Sequence, residues 1–211
     1  MIKAVIFDMD GVLIEAKDWH YESLNKALRL FGYEISRVDH LTTFDGLPTR
    51  MKLEMLSKEK GLPKELHSFI NEMKQQYTFE IIHQLCKPLF IHEYAISCLK
   101  AKGYKLAVAS NSIRKTIELM MEKAYLSEYM DIMLSNEDVM NAKPDPEIYI
   151  TAITKLKLKP KECLILEDNE NGIRAAVASK AHLLIVNDVH DVTLENITNR
   201  IKQIESDEKL K

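Results

Sequence analysis

The chain has 211 residues, of which 46% are hydrophobic, and a formal net charge of -3. This length suits one domain with a large insertion or two small domains, and it supplies enough apolar residues for a buried core. Lysine and arginine form no long block, so the composition argues against a nucleic-acid partner held through its phosphates and favours a small ligand.

Short apolar runs alternate with longer segments of helical spacing along most of the chain. Strands are predicted at residues 2–7, 105–109, 132–134, 163–166 and 183–186. Helices are predicted at residues 93–101, 113–123, 146–156 and 172–179. This alternation predicts an α/β fold, in which helices cover both faces of a parallel sheet. The charged end, residues 205–211, is predicted to fray.

Residues 15–87 break the alternation, because only helical patterns occur there. Three apolar stripes are predicted: Trp19, Leu24, Leu28 and Phe31; Met51, Met55 and Leu56; and Phe69, Met73, Tyr77 and Ile81. Such an insertion is able to lie over the carboxyl ends of the strands, where open α/β sheets bind ligands. The predicted domains are a core of residues 1–14 and 88–211 and an all-helical cap of residues 15–87.

The sequence also argues against export and membrane insertion. The apolar run from Ala4 to Phe7 is too short for a signal sequence or a membrane span, and Asp8 interrupts it. The three cysteines, Cys86, Cys98 and Cys163, are odd in number and lack a CxxC spacing, so neither a disulfide framework nor a zinc site is predicted. We therefore expect a cytoplasmic protein that does not associate with a membrane.

Two acids close the first predicted strand, in the stretch IFDMDGVL. If the extended conformation continues past Asp8, its side chain and that of Asp10 share one side while Met9 points away. Two carboxylates this close need a cation or strong donors to remain ionised, and hard oxygen ligands of this kind suit Mg²⁺. The alternative is a pair of turn-forming or helix-capping acids.

Polar residues also follow two later strands. In CLILEDNENG, Glu167 and Asp168 are a second source of metal ligands; alternatively, this stretch is a simple helix entry, with Gly172 easing the turn. In KLAVASNS, residues 110–112 offer hydroxyl and N–H groups that suit a phosphate at a helix start. A helix cap is the alternative for the second stretch, and the two roles are compatible.

The stretch NAKPDPEIY presents a lysine ahead of a helix. Pro144 disfavours a helical backbone at Lys143, while Pro146 suits a first helical turn with Asp145 as its cap. Lys143 is thus placed on an irregular segment from which it is able to reach an anion at the strand ends. The alternative is a solvated surface lysine.

The motifs DMDG, SNS, KPDP and EDNENG occur in this order, each at a predicted strand end or in the loop beyond it. Together they resemble the haloacid dehalogenase superfamily, and more closely its beta-phosphoglucomutase-like phosphatases with a small helical cap. The resemblance covers nearly the whole chain, from Ile2 to the region of Val186. It implies a Rossmann-like core, a Mg²⁺ cofactor and phosphoryl transfer through an aspartyl-phosphate.

The resemblance also assigns roles to the acids. Asp8 matches the nucleophile of the family, and Asp10 matches its general acid/base. Asp168 matches the metal-binding acid, with Glu167 as a second or indirect ligand. Asp8 would bind the same metal through its carboxylate, and Asp10 through its backbone carbonyl.

The remaining core residues match groups that handle the phosphoryl charge. Ser110 corresponds to the hydroxyl that bonds the phosphoryl oxygens, with Asn111 as a neighbour. Lys143 corresponds to the cation that balances the charges of the nucleophile and the phosphoryl group.

Four residues of the predicted cap are candidates for substrate binding. The segment TTFDGLPTR resembles a cap loop that faces the active site in relatives, and Gly46 permits a close turn there. Arg50 and Lys52 are candidates for binding a second anionic group, with ordinary exposed helix charges as the alternative. His20 falls where sugar-phosphate relatives often carry a histidine, and the alternative is a packed or surface histidine.

The sequence therefore predicts a Mg²⁺-dependent phosphate monoester hydrolase whose substrate is a small phosphorylated metabolite, with sugar phosphates favoured. Dehalogenases of the superfamily lack the second aspartate and phosphonate-cleaving members replace it, so Asp10 argues against both. The alternatives are a phosphomutase of the beta-phosphoglucomutase type and a non-catalytic protein that binds phosphorylated ligands.

Overall fold

The computed structural model describes residues 1–209. In chain order its strands and α-helices are β1 (Ala4–Phe7), α1 (Lys17–Arg29), α2 (Arg37–Asp39), α3 (Thr49–Lys60), α4 (His67–Leu85), α5 (Phe90–Ala101), β2 (Lys105–Ala109), α6 (Arg114–Lys123), β3 (Ile132–Leu134), α7 (Glu147–Lys155), β4 (Cys163–Glu167), α8 (Glu170–Ala178), β5 (His182–Ile185) and α9 (Leu194–Lys209). The chain divides into two compact units, Met1–Glu15 with Lys87–Lys211 and Ala16–Cys86. No described helix has the length and apolarity needed to cross a bilayer.

The first unit is built on a parallel sheet. Within residues 1–209 its five strands lie in the order β3-β2-β1-β4-β5. The chain runs outward from β1 to β3 on one side and then continues with β4 on the other, which is the Rossmann-like order with a switch point beside β1. The predicted α/β fold with a Rossmann-like parallel sheet is confirmed.

Both faces of the central strands are buried, which explains their continuous apolar runs. On one face α7 and α8 pack against alternate strand residues; this cluster includes Ala4, Ile6, Ala107, Ala109, Cys163, Ile165, Ile148, Ala152, Ala175 and Ala176. The intervening strand residues are equally buried, and α5 lies beside β2 while α9 lies beside β5. The sheet is therefore held rigidly between two helical layers.

The helix α9 lies in a region for which no element is predicted from the sequence. Ile197, Ile201 and Ile204 recur there at helical spacing and are buried, so the periodic signal is present in the sequence. The helix includes the first part of the segment predicted to fray, and residues 210 and 211 of that segment lie outside the described residues.

The second unit, Ala16–Cys86, is helical. Its core joins α1, α3 and α4 through Leu24, Ala27, Leu28, Leu53, Leu56 and Ile70. The predicted stripes differ from this core at Phe31, Met51 and Phe69, which are exposed. Phe31 and Phe69 meet edge to face with ring centroids 5.8 Å apart. On α4 the core-facing positions begin at Ile70, so Phe69 lies just off the buried face.

Candidate active site

The carboxyl ends of three neighbouring strands bring the predicted core residues to one edge of the sheet. Phe7, the last residue of β1, pairs with Val108 of β2 on one side and with Leu166 of β4 on the other. Asp8, Ser110 and Glu167 therefore follow at similar heights on adjacent parallel strands. Asp8 and Glu167 flank the switch point between β1 and β4, where ligands bind in open α/β sheets.

The backbone turns sharply after Asp8. The carbonyl of the fully buried Met9 accepts hydrogen bonds from the amides of Leu13 and Ile14, both at 2.9 Å, and Gly11 adopts a positive φ of 92°. The strand ends at Phe7, so the extended conformation assumed for the Asp8–Asp10 pair does not continue. The two carboxylates consequently have different partners.

Asp8 lies in a buried ionic group with Lys143 and Glu167. The Lys143 Nζ atom is 2.6 Å from Asp8 Oδ1 and 2.7 Å from Glu167 Oε1, and all three residues are buried. Burial would by itself lower the pKa of the Lys143 ammonium, but the two carboxylates raise it above its usual range. Lys143 is therefore a buried cation, not the solvated surface lysine of the alternative.

The same surroundings act differently on the nucleophile candidate. Burial raises the pKa of the Asp8 carboxyl well above its ordinary range, opposed by Lys143 and reinforced by the charges of Glu167 and Asp168. A further cation at this edge would favour ionised Asp8, because a positive charge nearby stabilises a carboxylate.

The residues at this edge are suited to hold such a cation. Asp8, Glu167 and Asp168 each offer a carboxylate oxygen, and these oxygens all lie within 4.8 Å of one another. An all-oxygen donor set of this kind suits a hard divalent ion such as Mg²⁺. The carboxylate of Asp10 is not in this group among the described residues, and metal binding through its backbone carbonyl stays a prediction.

Two hydroxyl groups orient the side chain of Asp10. Ser112 Oγ donates to Asp10 Oδ2 at 2.8 Å, and Ser110 Oγ donates to the same oxygen at 3.4 Å. The helix α6 begins later, with Ile113 as its N-cap residue and without a side-chain cap. The two serines therefore hold Asp10 instead of capping α6, and Ser112 is a contact that the sequence analysis does not assign.

Asn111 ties the loop after β2 to the segment that carries Lys143. Its Oδ1 atom accepts a hydrogen bond from the Lys143 amide at 3.1 Å, and its Nδ2 atom donates to the Lys143 carbonyl at 3.3 Å. Asn136 Nδ2 in turn donates to the Asn111 carbonyl at 2.9 Å. Asn111 thus fixes the backbone of Lys143, and its predicted contact with the substrate stays a prediction.

Tyr149 and Gly172 shape the surroundings of Glu167, and neither has a site role in the sequence analysis. The Tyr149 hydroxyl donates a hydrogen bond to Glu167 Oε1, and the Asp168 amide donates to Oε2 at 3.2 Å. A Cβ atom on Gly172 would lie 1.8 Å from Glu167 Oε1. The glycine therefore makes room for the carboxylate, whereas the sequence predicts only a role in the turn.

The helix α8 that carries Gly172 has a side-chain cap. The side chain of Asn169 accepts hydrogen bonds from the Asn171 and Gly172 amides.

Replacement of Gly172 by alanine is expected to lower activity without unfolding the protein. The new methyl group must displace the Glu167 carboxylate, and changes next to metal ligands typically cost about 10- to 100-fold in metal affinity or activity. Alanine favours a helix more than glycine does, so Tm should not fall through backbone propensity. Steady-state kinetics and Mg²⁺ titration calorimetry measure the effect. Arg174→Ala, at an exposed position of the same helix, is the control, and a Gly172→Ala variant that matches it would contradict the prediction.

The four candidate substrate-binding residues outside the core belong to the second unit. His20 Nδ1 is 3.2 Å from Lys74 Nζ within that unit. Gly46 adopts a positive φ of 70°, as a close turn requires. Arg50 is exposed in the first turn of α3, whereas Lys52 is buried. The binding roles of His20, Gly46 and Arg50 stay predictions.

The strand order and the acidic site beside β1 define a Rossmann-like enzyme core. The family model for haloacid dehalogenase-like hydrolases matches residues 5–186, which is most of the chain. The chain therefore belongs to the haloacid dehalogenase-like hydrolase family, as the four motifs predict.

Relatives of this chain include two curated phosphatases. A phosphorylated carbohydrates phosphatase of Thermotoga maritima is 28% identical over 83% of this chain and 80% of its own length. A phosphoglycolate phosphatase of Aquifex aeolicus is 25% identical over 97% of this chain and 98% of its own length. The crystal structure of a beta-phosphoglucomutase from Clostridium difficile covers 96% of this chain and 98% of its own, with a TM-score of 0.84 and 21% identity, which shows a shared fold. The predicted enzyme class, a phosphatase or phosphomutase of the haloacid dehalogenase type, is confirmed.

Proposed function

We propose that this protein is a Mg²⁺-dependent phosphate monoester hydrolase that acts on a small phosphorylated metabolite, with sugar phosphates as the favoured class. The observation that carries the proposal is the buried Lys143 ammonium, 2.6 Å from Asp8, beside a cluster of three carboxylates at the switch point of the sheet. Nucleophile, balancing cation and metal ligands are the parts that phosphoryl transfer needs at one place.

Asp8 is the proposed nucleophile. One of its carboxylate oxygens forms a bond to phosphorus while the bond from phosphorus to the substrate oxygen breaks, which gives an aspartyl-phosphate. Asp10, held by Ser110 and Ser112, gives its proton to the departing oxygen. In the second step Asp10 takes a proton from water as the water oxygen attacks phosphorus. The bond to Asp8 then breaks and phosphate is released.

Lys143 balances the charge of Asp8 and of the incoming phosphoryl group. Its ammonium is already placed against the nucleophile, so little reorganisation is needed when charge develops in the transition state. Ser110 is proposed to bond the phosphoryl oxygens, with Asn111 beside it. Asn111 also holds the Lys143 backbone from both its N–H and its carbonyl.

The proposed resident ion is Mg²⁺, and Asp8, Glu167 and Asp168 would hold it through carboxylate oxygens. A bound Mg²⁺ supplies positive charge that stabilises the phosphoryl oxygens in the transition state. The backbone carbonyl of Asp10 is proposed as a fourth ligand.

The helical unit is proposed to act as a cap that selects the substrate. His20, Gly46 and Arg50 are its proposed substrate-binding residues, and Arg50 would contact a second anionic group. The names of the two curated relatives, a phosphorylated carbohydrates phosphatase and a phosphoglycolate phosphatase, support a small organic phosphate as the substrate. A cytoplasmic location completes the proposal, supported by the odd number of cysteines.

Phosphate release from a broad panel of phosphorylated metabolites tests the proposal. With purified protein and Mg²⁺ we expect steady release from a subset of the panel, and we expect a chelator to abolish it and added Mg²⁺ to restore it. Turnover that requires a bisphosphate primer and yields an isomeric phosphate would instead identify a phosphomutase. The absence of turnover across the panel would favour the non-catalytic alternative.

A further inference from the structure

Tyr149 makes two contacts with the ionic group beside the proposed nucleophile. It lies on α7, and its side chain is fully buried. Its hydroxyl donates a hydrogen bond to Glu167 Oε1, which also accepts a hydrogen bond from Lys143 Nζ at 2.7 Å. The same Nζ atom lies over the tyrosine ring, 4.6 Å from the ring centroid. Tyr149 therefore reaches Lys143 both directly, through the ring, and indirectly, through Glu167.

These contacts affect the position of the Lys143 ammonium between the carboxylates of Asp8 and Glu167. Lysine carries its charge on a flexible four-carbon chain, so its position depends on what surrounds the ammonium. Glu167 and Asp8 attract the ammonium at almost equal distances, 2.7 Å and 2.6 Å. A hydrogen bond from Tyr149 to Glu167 Oε1 takes up part of the negative charge of that oxygen. Glu167 then attracts the ammonium less strongly, and the ring face supports the ammonium from the side.

Packing alone does not require the hydroxyl. The other members of the cluster around Tyr149 are apolar, among them Ile148, Ala152 and Ile153, and a phenylalanine ring would fill the same space. A buried tyrosine hydroxyl needs a hydrogen-bond partner, and here that partner is an acid of the site. The polar atom of Tyr149 is thus directed to the ionic group and not to the apolar core.

We propose that Tyr149 is a positioning residue, whose hydroxyl and ring together hold the Lys143 ammonium against Asp8. The inference rests on the proposed phosphatase function. It assigns to Tyr149 no contact with the substrate or with the metal ion. Its effect is exerted on the transition state through Lys143, so removal of the hydroxyl should lower kcat more than it changes binding.

The Tyr149→Phe variant tests this inference because it removes the hydroxyl and keeps the ring. We expect kcat to fall about 10-fold, at the lower end of the effect of losing one hydrogen bond to a charged group. KM for the substrate should stay nearly unchanged, as should the Mg²⁺ dissociation constant of the metal-free protein measured by calorimetry. Tyr149→Leu, which also removes the ring, should lower kcat further. Tyr104→Phe, a change at a partly buried tyrosine before β2, is the matched control and should retain the wild-type kcat.

Three other outcomes are distinguishable. A Tyr149→Phe variant with the wild-type kcat would show that the hydroxyl does not help to position Lys143. A fall in kcat matched by an equal weakening of Mg²⁺ binding would show that Tyr149 supports Glu167 as a metal ligand and not Lys143, and this too would overturn the inference. If the wild-type protein releases no phosphate from any substrate, the proposed function itself fails, which is a distinct result.

Discussion

The Asp8→Asn variant is expected to lose phosphate release almost completely, by roughly 10⁴-fold or more, because an amide cannot form the proposed aspartyl-phosphate. The amide has nearly the same shape as the carboxylate, so the site around it should remain assembled. Single-turnover and steady-state assays with the best substrate from the panel measure the loss. Trapping of a phosphorylated wild-type protein, absent in the variant, would identify the residue directly.

In the absence of metal, the Asp8→Asn variant should be at least as stable to unfolding as the wild type. Burial raises the pKa of Asp8, and an acid whose pKa is raised in the folded state loses stability as the pH rises through that pKa. At neutral pH a neutral amide avoids this cost, so Tm should not fall. Asp145→Asn is the control, because Asp145 is exposed and asparagine keeps the oxygen that accepts from the Glu147 amide. If Asp8→Asn turned over substrate at nearly the rate of Asp145→Asn, Asp8 would not be the nucleophile.

The Lys143→Met variant is expected to lose about 10²- to 10³-fold in kcat, the range found when one preorganised donor to a developing charge is removed. Methionine keeps the approximate length of the side chain and removes its charge. Lys143 is buried and contacts both Asp8 and Glu167, so no other part of its side chain accounts for such a loss. Steady-state kinetics at saturating substrate and Mg²⁺ provide the measurement.

The same variant should also be less stable without metal, in contrast to Asp8→Asn. Removal of the cation leaves the carboxylates of Asp8 and Glu167 buried near each other, and breaking a buried ion pair in this way typically costs about 3–5 kcal/mol. Added Mg²⁺ should recover part of the loss in Tm, because it supplies positive charge to the same carboxylates. Lys115→Met, at an exposed position on α6, should match the wild type in both assays. An unchanged kcat in Lys143→Met would contradict the charge-balancing role.

The acidic residues of the candidate metal site could be predicted because they lie at or directly after the ends of apolar strand segments. Asp8 follows β1, while Glu167 ends β4 and Asp168 comes next, and parallel strands bring their carboxyl ends to one edge. Lys143 was predictable only through the motif order, since a lysine ahead of a helix is ordinarily a surface residue. Its burial between two acids depends on the loop conformation that Asn111 supports.

Tyr149 and Gly172 had no comparable signal. Tyr149 lies among apolar residues of α7 at core spacing, so the sequence indicates only that it packs inside. Gly172 lies where a glycine also suits a turn, and its closeness to Glu167 depends on how α8 is placed against β4. The end of β1 was likewise ambiguous, because alternation along a strand predicts a shared side for Asp8 and Asp10 only while the strand continues.

The sequence by itself determined the alternation of strands and helices, the helical insertion after β1 and the motif order that indicates phosphoryl transfer. These are local properties, since apolar periodicity and residue type are read within a few turns or one strand. The tertiary structure decided which groups meet: Lys143 with Asp8 and Glu167, Tyr149 with Glu167, and Ser112 with Asp10. Those contacts join residues from 18 to 135 positions apart, and their distances follow from strand order and loop conformation, which no local pattern specifies.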